Sequence, residues 1–262
     1  MKQLFLFLIP LFLFAKELPF VILIPSYNNE KFCTQNIESA LSQKYENFRI
    51  LYVNDASTDK TLEIAQNFIQ ENDIQNRVEI LDNKERHYSL HNIYHTIHNE
   101  VLDEEIVVML DGDDQLAHPG VLNILNKVYQ QKDPSIWFAF SQFKNKSNGI
   151  KGWGRPVPPS IVANNNFRSY RHVPTHLRTF YAWLFKKIKK EDLQINGEFF
   201  HMTGDLALLL PINEMARDHF TFINQVLYIY NDKNPISDHQ IDRKLQSHYD
   251  KLIRKRPPYQ PL

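Results

Sequence analysis

Four short strand-like runs, each followed by a polar cluster and a helical pattern, constrain the fold of this chain more than anything else in it. The runs are Phe20 to Ile24, Phe48 to Val53, Arg77 to Leu81 and Ile106 to Leu110. Between the first two, Lys31 to Gln43 places Cys33, Ile37, Ala40 and Leu41 on one face at helical spacing. A second helical stretch ends near Asn72, with Leu62, Ala65, Phe68 and Ile69 facing inward, and a third runs from Tyr88 to about Val101. Alternation of strand and helix predicts a parallel sheet with right-handed crossovers, because only that path lays each helix back on a twisted sheet.

Ligands of open α/β sheets bind outside the C-terminal strand ends. The first strand releases Pro25-Ser26-Tyr27-Asn28, the second Asn54-Asp55-Ala56-Ser57-Thr58-Asp59, and the fourth Asp111-Gly112-Asp113-Asp114. The last group has three carboxylates in four residues. Their mutual repulsion calls for a positive partner. A hard cation, Mn2+ or Mg2+, fills that role with oxygen ligands and usually comes with a phosphate-bearing substrate. Asp-Gly is also ordinary turn chemistry, so the cluster alone does not decide. Taken together, the three strand ends offer what a nucleoside diphosphate needs. Tyr27 can stack on a base, Asp55 can accept a hydrogen bond from a base N–H, and the acids can hold a cation on the diphosphate.

Composition narrows the choice. Lys+Arg and Asp+Glu balance at 30 each over 262 residues, so no overall charge points to nucleic acid, which is not an expected partner. Glycine is scarce at 7, with neither a P-loop nor a G-x-G-x-x-G. The single cysteine, Cys33, excludes an intramolecular disulfide and a cysteine zinc site. At the N-terminus, Lys2 precedes an apolar run from Leu4 to Phe14, then Ala15 and Lys16-Glu17. This resembles a secretory signal peptide cleaved after Ala15, although Leu13 departs from the small-residue rule. The run is short for a membrane span; left uncleaved, it would anchor the protein to a membrane or pack as a buried N-terminal element. Residues 1–16 are therefore expected to be a leader or anchor, and the protein to be exported or in the secretory pathway.

The second half is less regular. Val121 to Gln131 predicts a helix and Ile136 to Phe143 a strand. Lys144 to Asn166 is a long loop carrying Trp153, Gly154 and Arg155. Pro174 to Lys190 predicts a helix ending in a lysine cluster, Asp205 to Ala216 another helix, and Gln225 to Tyr230 a strand. Arg254-Lys255-Arg256, cut by Pro257-Pro258, reads as a solvated tail. His87, His91, His95 and His98 share one helix face, which makes a zinc site conceivable beside the plainer reading of a polar face.

The ordered motifs resemble glycosyltransferase family 2, the inverting nucleotide-sugar enzymes of the GT-A fold. Phe20 to Asn28 matches the family's opening strand and its Pro-x-Tyr-Asn ending. Val53 to Asp59 matches Val-Asp-Asp-Gly-Ser-Thr-Asp with Asn54 and Ala56 as departures, and Leu110 to Asp114 matches Asp-x-Asp-Asp. The likeness is good over residues 18–145. It implies an α/β GT-A, Rossmann-like, mainly parallel sheet flanked by helices, with residues 17–145 as the nucleotide-sugar-binding half. Residues 146–262 would be an irregular, helical acceptor region. Tyr27 would lie against the base with Pro25 shaping the turn and Asn28 beside them. Asp55 would hold the base, usually uracil. Asp111 would contact the ribose or nearby donor groups, and Asp113 would be the principal metal ligand, with Asp111 as a further one and Asp114 orienting its neighbours. Asn83 and Asn92 fit the family's next segment. His91 stands there in place of an Arg and Tyr94 in place of a Gly, leaving His91 or Arg86 to face the diphosphate.

The resemblance implies transfer from a nucleoside-diphosphate sugar, a UDP-sugar, to an acceptor hydroxyl on a glycan, lipid or protein, with Mn2+ or Mg2+ as cofactor. A carboxylate from the second half should take the acceptor's proton. Asp205, in Thr203-Gly204-Asp205, stands where similar enzymes carry an acidic motif at a helix start, where it would also serve as an N-cap. Glu214, Asp218 and Asp238 are other carboxylates in reach of that role, and His239 could reach the diphosphate or metal. The loop with Trp153 would close over the sugar or simply pack. A sugar nucleotidyltransferase would share the sheet and the acids but should carry a Gly-rich loop where this chain has Ser26 to Lys31 without glycine. A non-catalytic carbohydrate-binding or scaffold protein on this fold would keep its role after loss of Asp113.

Overall fold

The computed structural model describes residues 16–235 and 242–262. The leader reading falls almost wholly outside these residues, as do Asp238 and His239. The first half comprises β1 (Phe20–Ser26), α1 (Cys33–Leu41), β2 (Phe48–Asn54), α2 (Thr61–Glu71), β3 (Val78–Asp82), α3 (Ser89–Glu100), β4 (Ile106–Met109), β5 (Gln115–Leu116) and α4 (Val121–Tyr129). The second half comprises β6 (Phe138–Asn145), α5 (Pro159–Ala163), β7 (Arg178–Tyr181), α6 (Ala182–Phe185), β8 (Gln194–Ile195), β9 (Glu198–Phe199), α7 (Gly204–Ala216), β10 (Phe220–Tyr230) and α8 (Arg243–Lys255).

Among the described residues, one large sheet runs β3-β2-β1-β4-β7-β6-β10-β5. Its first four strands are parallel. β7 is antiparallel to both β4 and β6, β10 is parallel to β6, and β5 is antiparallel to β10. The sheet is thus mixed, parallel where the sequence alternates strand with helix. Both faces of β1 are buried. Phe20, Ile22 and Ile24 pack in one layer with Ile37 of α1, Ala65 of α2 and Leu125 of α4. Val21 and Leu23 pack in the other with Ile93 of α3 and the apolar residues of α7. Burial on both sides explains why the central strands read as unbroken apolar runs. α7 is buried along its length from Leu206 to Ala216, the mark of a core helix that is apolar on every side apart from Asn213 and Glu214.

Three expectations are corrected. The helix predicted for Pro174 to Lys190 is instead β7 followed by the short α6. Alternate side chains there enter opposite layers, Leu177 one and Phe180 the other. The Thr179 hydroxyl donates to Ala139 O at 3.1 Å, so the slot between β4 and β6 overrides helical preference. The strand expected from Gln225 begins earlier, at Phe220, because β10 follows β6 along its full length. The basic tail is docked rather than solvated. Arg254 donates to the carbonyls of Arg168 (3.0 Å) and Tyr170 (2.9 Å), Arg256 lies 5.0 Å over the Phe200 ring, and Ile253 is buried.

Candidate active site

β1, β2 and β4 are in parallel register, with Ser26 opposite Asn54 and Leu23 opposite Met109, so their C-terminal ends open on one edge. A cavity of about 350 Å³ lies there, lined by Tyr27, Asp55, Asp111, Asp113 and, from the second half, Asp205. A larger cavity of about 550 Å³, lined by Val157, Phe220 and Phe222 among others, lies away from these strand ends.

Asp55 is almost fully buried. Its carboxylate accepts from the backbone N–H of His87 and of Tyr88, both at 2.8 Å. Asn83 Nδ2 donates to it at 3.1 Å and to Asn92 Oδ1 at 2.8 Å. Asp55 therefore holds the loop entering α3 in shape. In that loop Tyr88 has φ 67° and ψ 162°, a region favoured only by glycine. The loop sets Arg86 between two rings, with its guanidinium 3.7 Å from the Tyr27 centroid and 4.5 Å from that of Tyr88. Tyr88 in turn stacks on His201 at 3.9 Å. Cation–π contact holds the guanidinium against the ring that the sequence assigns to a base.

The acidic turn is held from several sides. A Cβ on Gly112 would lie 2.6 Å from Ser26 Oγ and 2.7 Å from Asn29 Nδ2, so only glycine fits. Asn36 Nδ2 donates to the carbonyls of Asp111 and Asp114, both at 2.9 Å. Asp114 is spent on structure, accepting from Tyr228 Oη and from Asn231 N, both at 2.6 Å. Burial pushes its carboxyl well above the usual range, and Asp113 and Asp111 add to that. Asp113 accepts from Asn234 Nδ2 at 2.6 Å, and burial raises its carboxyl to about 6. Removal of water disfavours the charged form in each case.

Two residues that the sequence reading missed complete the cleft. Arg178 Nη2 lies 3.1 Å from Asp111 Oδ2, and its Nη1 lies 3.5 Å from Asp205 Oδ2. His176 Nδ1 faces Arg178 Nη2 at 2.9 Å, and burial together with Arg178 holds this imidazole well below its ordinary pKa. The four-residue strand that carries Arg178 is too short for its period to show in the sequence. Asp205 sits in the first turn of α7, but the N-cap is Thr203.

The comparisons with known proteins agree with this geometry. A family description, glycosyl transferase family 2, matches residues 21–209. The chain belongs to that family. Glycosyltransferase GlyG of Streptococcus pneumoniae is 29% identical over 220 residues, covering 80% of this chain and 69% of the relative. An uncharacterised glycosyltransferase of Haemophilus influenzae is 31% identical over 109 residues, covering 42% of each protein. Among solved structures, S. aureus TarS superposes with a TM-score of 0.61 at 18% identity, over 81% of this chain and 60% of TarS. The mannosyltransferase PcManGT of Pyrobaculum calidifontis gives 0.58 at 16% identity, over 94% of this chain and 67% of that one. These last two likenesses show the GT-A fold. The chain spans less than two thirds of two of these four, the Haemophilus influenzae protein and TarS.

Read as a family 2 member, the site also sorts the remaining candidates. Pro25, Asn28 and Asn83 do not line the cavity. Asn28 ties the first strand end to the second, accepting from Thr58 N at 2.8 Å, and Asn83 stands behind Asp55. Glu214 is corrected from a base candidate to a structural acid. It is fully buried and paired with Arg168 at 2.7 and 2.9 Å. Asp218 lines the other cavity. His87, just before α3, and His91 and His95 on it form a stack, with His87–His91 and His91–His95 centroids each 4.3 Å apart. Burial and the neighbouring imidazoles lower His91 to about 4. Trp153 is 60% exposed and meets Phe143 edge-on at 5.0 Å.

A divalent cation fits the acids. Asp111, Asp114 and His176 offer atoms within 4.8 Å of one another, but the oxygens of Asp114 serve Tyr228 and Asn231 and the His176 nitrogen serves Arg178. Asp111 and Asp113 also line the cavity, and among the described residues their hydrogen bonds engage Oδ2, from Arg178 and Tyr228 to Asp111 and from Asn234 to Asp113, so the Oδ1 atoms suit a hard ion.

Proposed function

We propose that this family 2 enzyme transfers a sugar from a nucleoside-diphosphate sugar, a UDP-sugar, to an acceptor hydroxyl with inversion at the anomeric carbon. The observation that carries this reading is the meeting of Tyr27, Asp55, Asp111 and Asp113 with Asp205 in one cavity. Related folds support it, since TarS has been solved with UDP and with UDP-GlcNAc, and PcManGT with GDP-Man and Mn2+. Tyr27 and Asp55 would bind the base, and Asp111 and Asp113 would hold Mn2+ or Mg2+. When bound, that ion supplies charge neutralisation at the leaving diphosphate. Asp205, 56% exposed at the side chain, takes the proton of the acceptor hydroxyl, a contribution of roughly 10²–10⁴-fold. The acceptor oxygen then bonds to the anomeric carbon while the carbon–oxygen bond to the diphosphate breaks, its electrons leaving with the nucleotide. One displacement from the far side inverts the centre.

Calorimetric titration of UDP, with and without Mn2+, tests the donor assignment. Mn2+-dependent binding that vanishes in Asp113→Ala is the expected result. Binding of GDP in place of UDP would overturn the uridine assignment, and binding of neither would overturn the donor reading. The N-terminal pattern adds the proposal that the enzyme is exported or membrane-anchored, which fractionation of cells expressing the full chain would check.

A further inference from the structure

We propose that Arg178 is a positioning residue for the transfer, holding the Asp205 carboxylate in register with the donor-side carboxylate Asp111 across the cleft. The proposal rests on the reading of Asp205 as the base.

The backbone under Arg178 is fixed on both sides. It pairs with Met109 of β4 and with Phe140 of β6, so it cannot drift with either half of the molecule. The side chain is 7% exposed, yet its two carboxylate partners are open to the cavity, Asp111 at 34% and Asp205 at 56%. Its nitrogens are divided between them, one 3.1 Å from Asp111 and the other 3.5 Å from Asp205. The guanidinium meets His176 at 2.9 Å, and that ring stacks against both Tyr228 and Tyr230, with centroids at 4.7 and 5.4 Å and 16° from parallel to each. Arg178 Nε is buried without a partner.

The other buried arginine pair in this fold shows what a purely structural arrangement looks like. Arg168 grips a single, fully buried acid, Glu214, with two nitrogens at 2.7 and 2.9 Å. Two-point contact with one carboxylate is the arrangement that gives both energy and geometry to an ion pair. Arg178 gives that up to reach two carboxylates from different elements, one after β4 and one in the first turn of α7. A lysine, with one nitrogen on a flexible stem, cannot span both.

Asp205 needs such support. Among the described residues, its carboxylate is held besides Arg178 by the adjacent Leu206 N–H at 2.8 Å. A base displaced by about 1 Å from the acceptor hydroxyl can cost about 10² in rate. Arg178 itself exchanges no proton. The proton passes from the acceptor oxygen to Asp205 while the carbon–oxygen bonds form and break.

The test measures UDP release from UDP-GlcNAc, UDP-glucose and UDP-galactose with water as acceptor, beside UDP binding with Mn2+, for wild type, Arg178→Gln and Arg178→Lys. Removing a group that acts on the chemical step lowers kcat and leaves ground-state binding in place. The expected result for Arg178→Gln is a fall of about 10²-fold in the saturating rate with the UDP Kd within about threefold of wild type. Arg178→Lys should recover only part of the rate. If Arg178→Gln proves unfolded by its melting curve, Arg178→Lys carries the test with an expected loss of about tenfold or more. A rate within about twofold of wild type in the folded variants would overturn the proposal. So would a Kd that rises in step with the fall in rate, which would make Arg178 a donor-holding residue. Absence of UDP binding in the wild type would instead overturn the uridine-donor reading on which this proposal rests.

Discussion

Asp55→Asn separates the two duties that meet at one carboxylate. Asp55 is 3% exposed and accepts three hydrogen bonds, from His87 N, Tyr88 N and Asn83 Nδ2. An asparagine keeps one acceptor oxygen and turns an N–H donor toward the other backbone N–H. Hydrogen bonds to a charged group contribute about 1.5–3 kcal/mol each, and an unsatisfied buried donor adds its own cost. Against this, Tyr88 at φ 67° stores about 1–3 kcal/mol that the loop recovers by opening. The expected net loss is about 2–3 kcal/mol, or about 5–10 °C in Tm for a chain of this size. Urea unfolding gives the first number and differential scanning calorimetry the second. Hydrogen exchange of the peptide over residues 83–90 should accelerate, because the loop opens locally before the sheet does. UDP affinity should fall with it, since Arg86, Tyr88 and Tyr27 lose their stacked arrangement. An unchanged Tm and unchanged exchange in that peptide, with UDP binding lost, would refute the reasoning and make Asp55 a ligand contact alone.

Other perturbations follow from the same geometry. The Asp113 carboxyl, raised by burial to about 6, binds a proton in the folded state that the unfolded chain releases at lower pH. Without metal its contribution to stability is therefore full below about pH 4 and lost as pH rises to about 6, while Mn2+-dependent UDP affinity should grow across the same window; melting curves and titrations over that range check both signs. Glu214→Gln leaves Arg168 charged and buried without its partner, so a loss of about 3–5 kcal/mol in urea unfolding is expected, with UDP affinity intact; a loss under 1 kcal/mol would contradict the buried pairing. Gly112→Ala forces a methyl group against Ser26 and Asn29, an overpacking that should cost about 1–3 kcal/mol and weaken Mn2+-dependent binding by displacing Asp111 and Asp113; normal metal dependence in this variant would show that the turn can relax.

Much of the fold could be read locally. A strand covered on both faces must be apolar throughout, so Phe20 to Ile24 and Ile106 to Leu110 announced themselves, and the helical spacing between them set the parallel order. Because the C-terminal ends of such strands share one edge, the sequence alone places Tyr27, Asp55 and the acids around Gly112 together. What tertiary structure alone decided concerns partners far apart in sequence. Arg178 lies on a four-residue strand, too short to show its period, and its strand character comes from the slot between β4 and β6. Asp113 and Asp114 are adjacent carboxylates with no local difference, yet Tyr228 and Asn231 take up Asp114 and Asn234 leaves Asp113 facing the cavity. Glu214 resembled any helical acid until Arg168 and the Tyr259 N–H closed over it. Periodicity and turn chemistry are properties of neighbouring residues and survive in the sequence. The fate of a carboxylate depends on which charges and donors the folded chain brings to it.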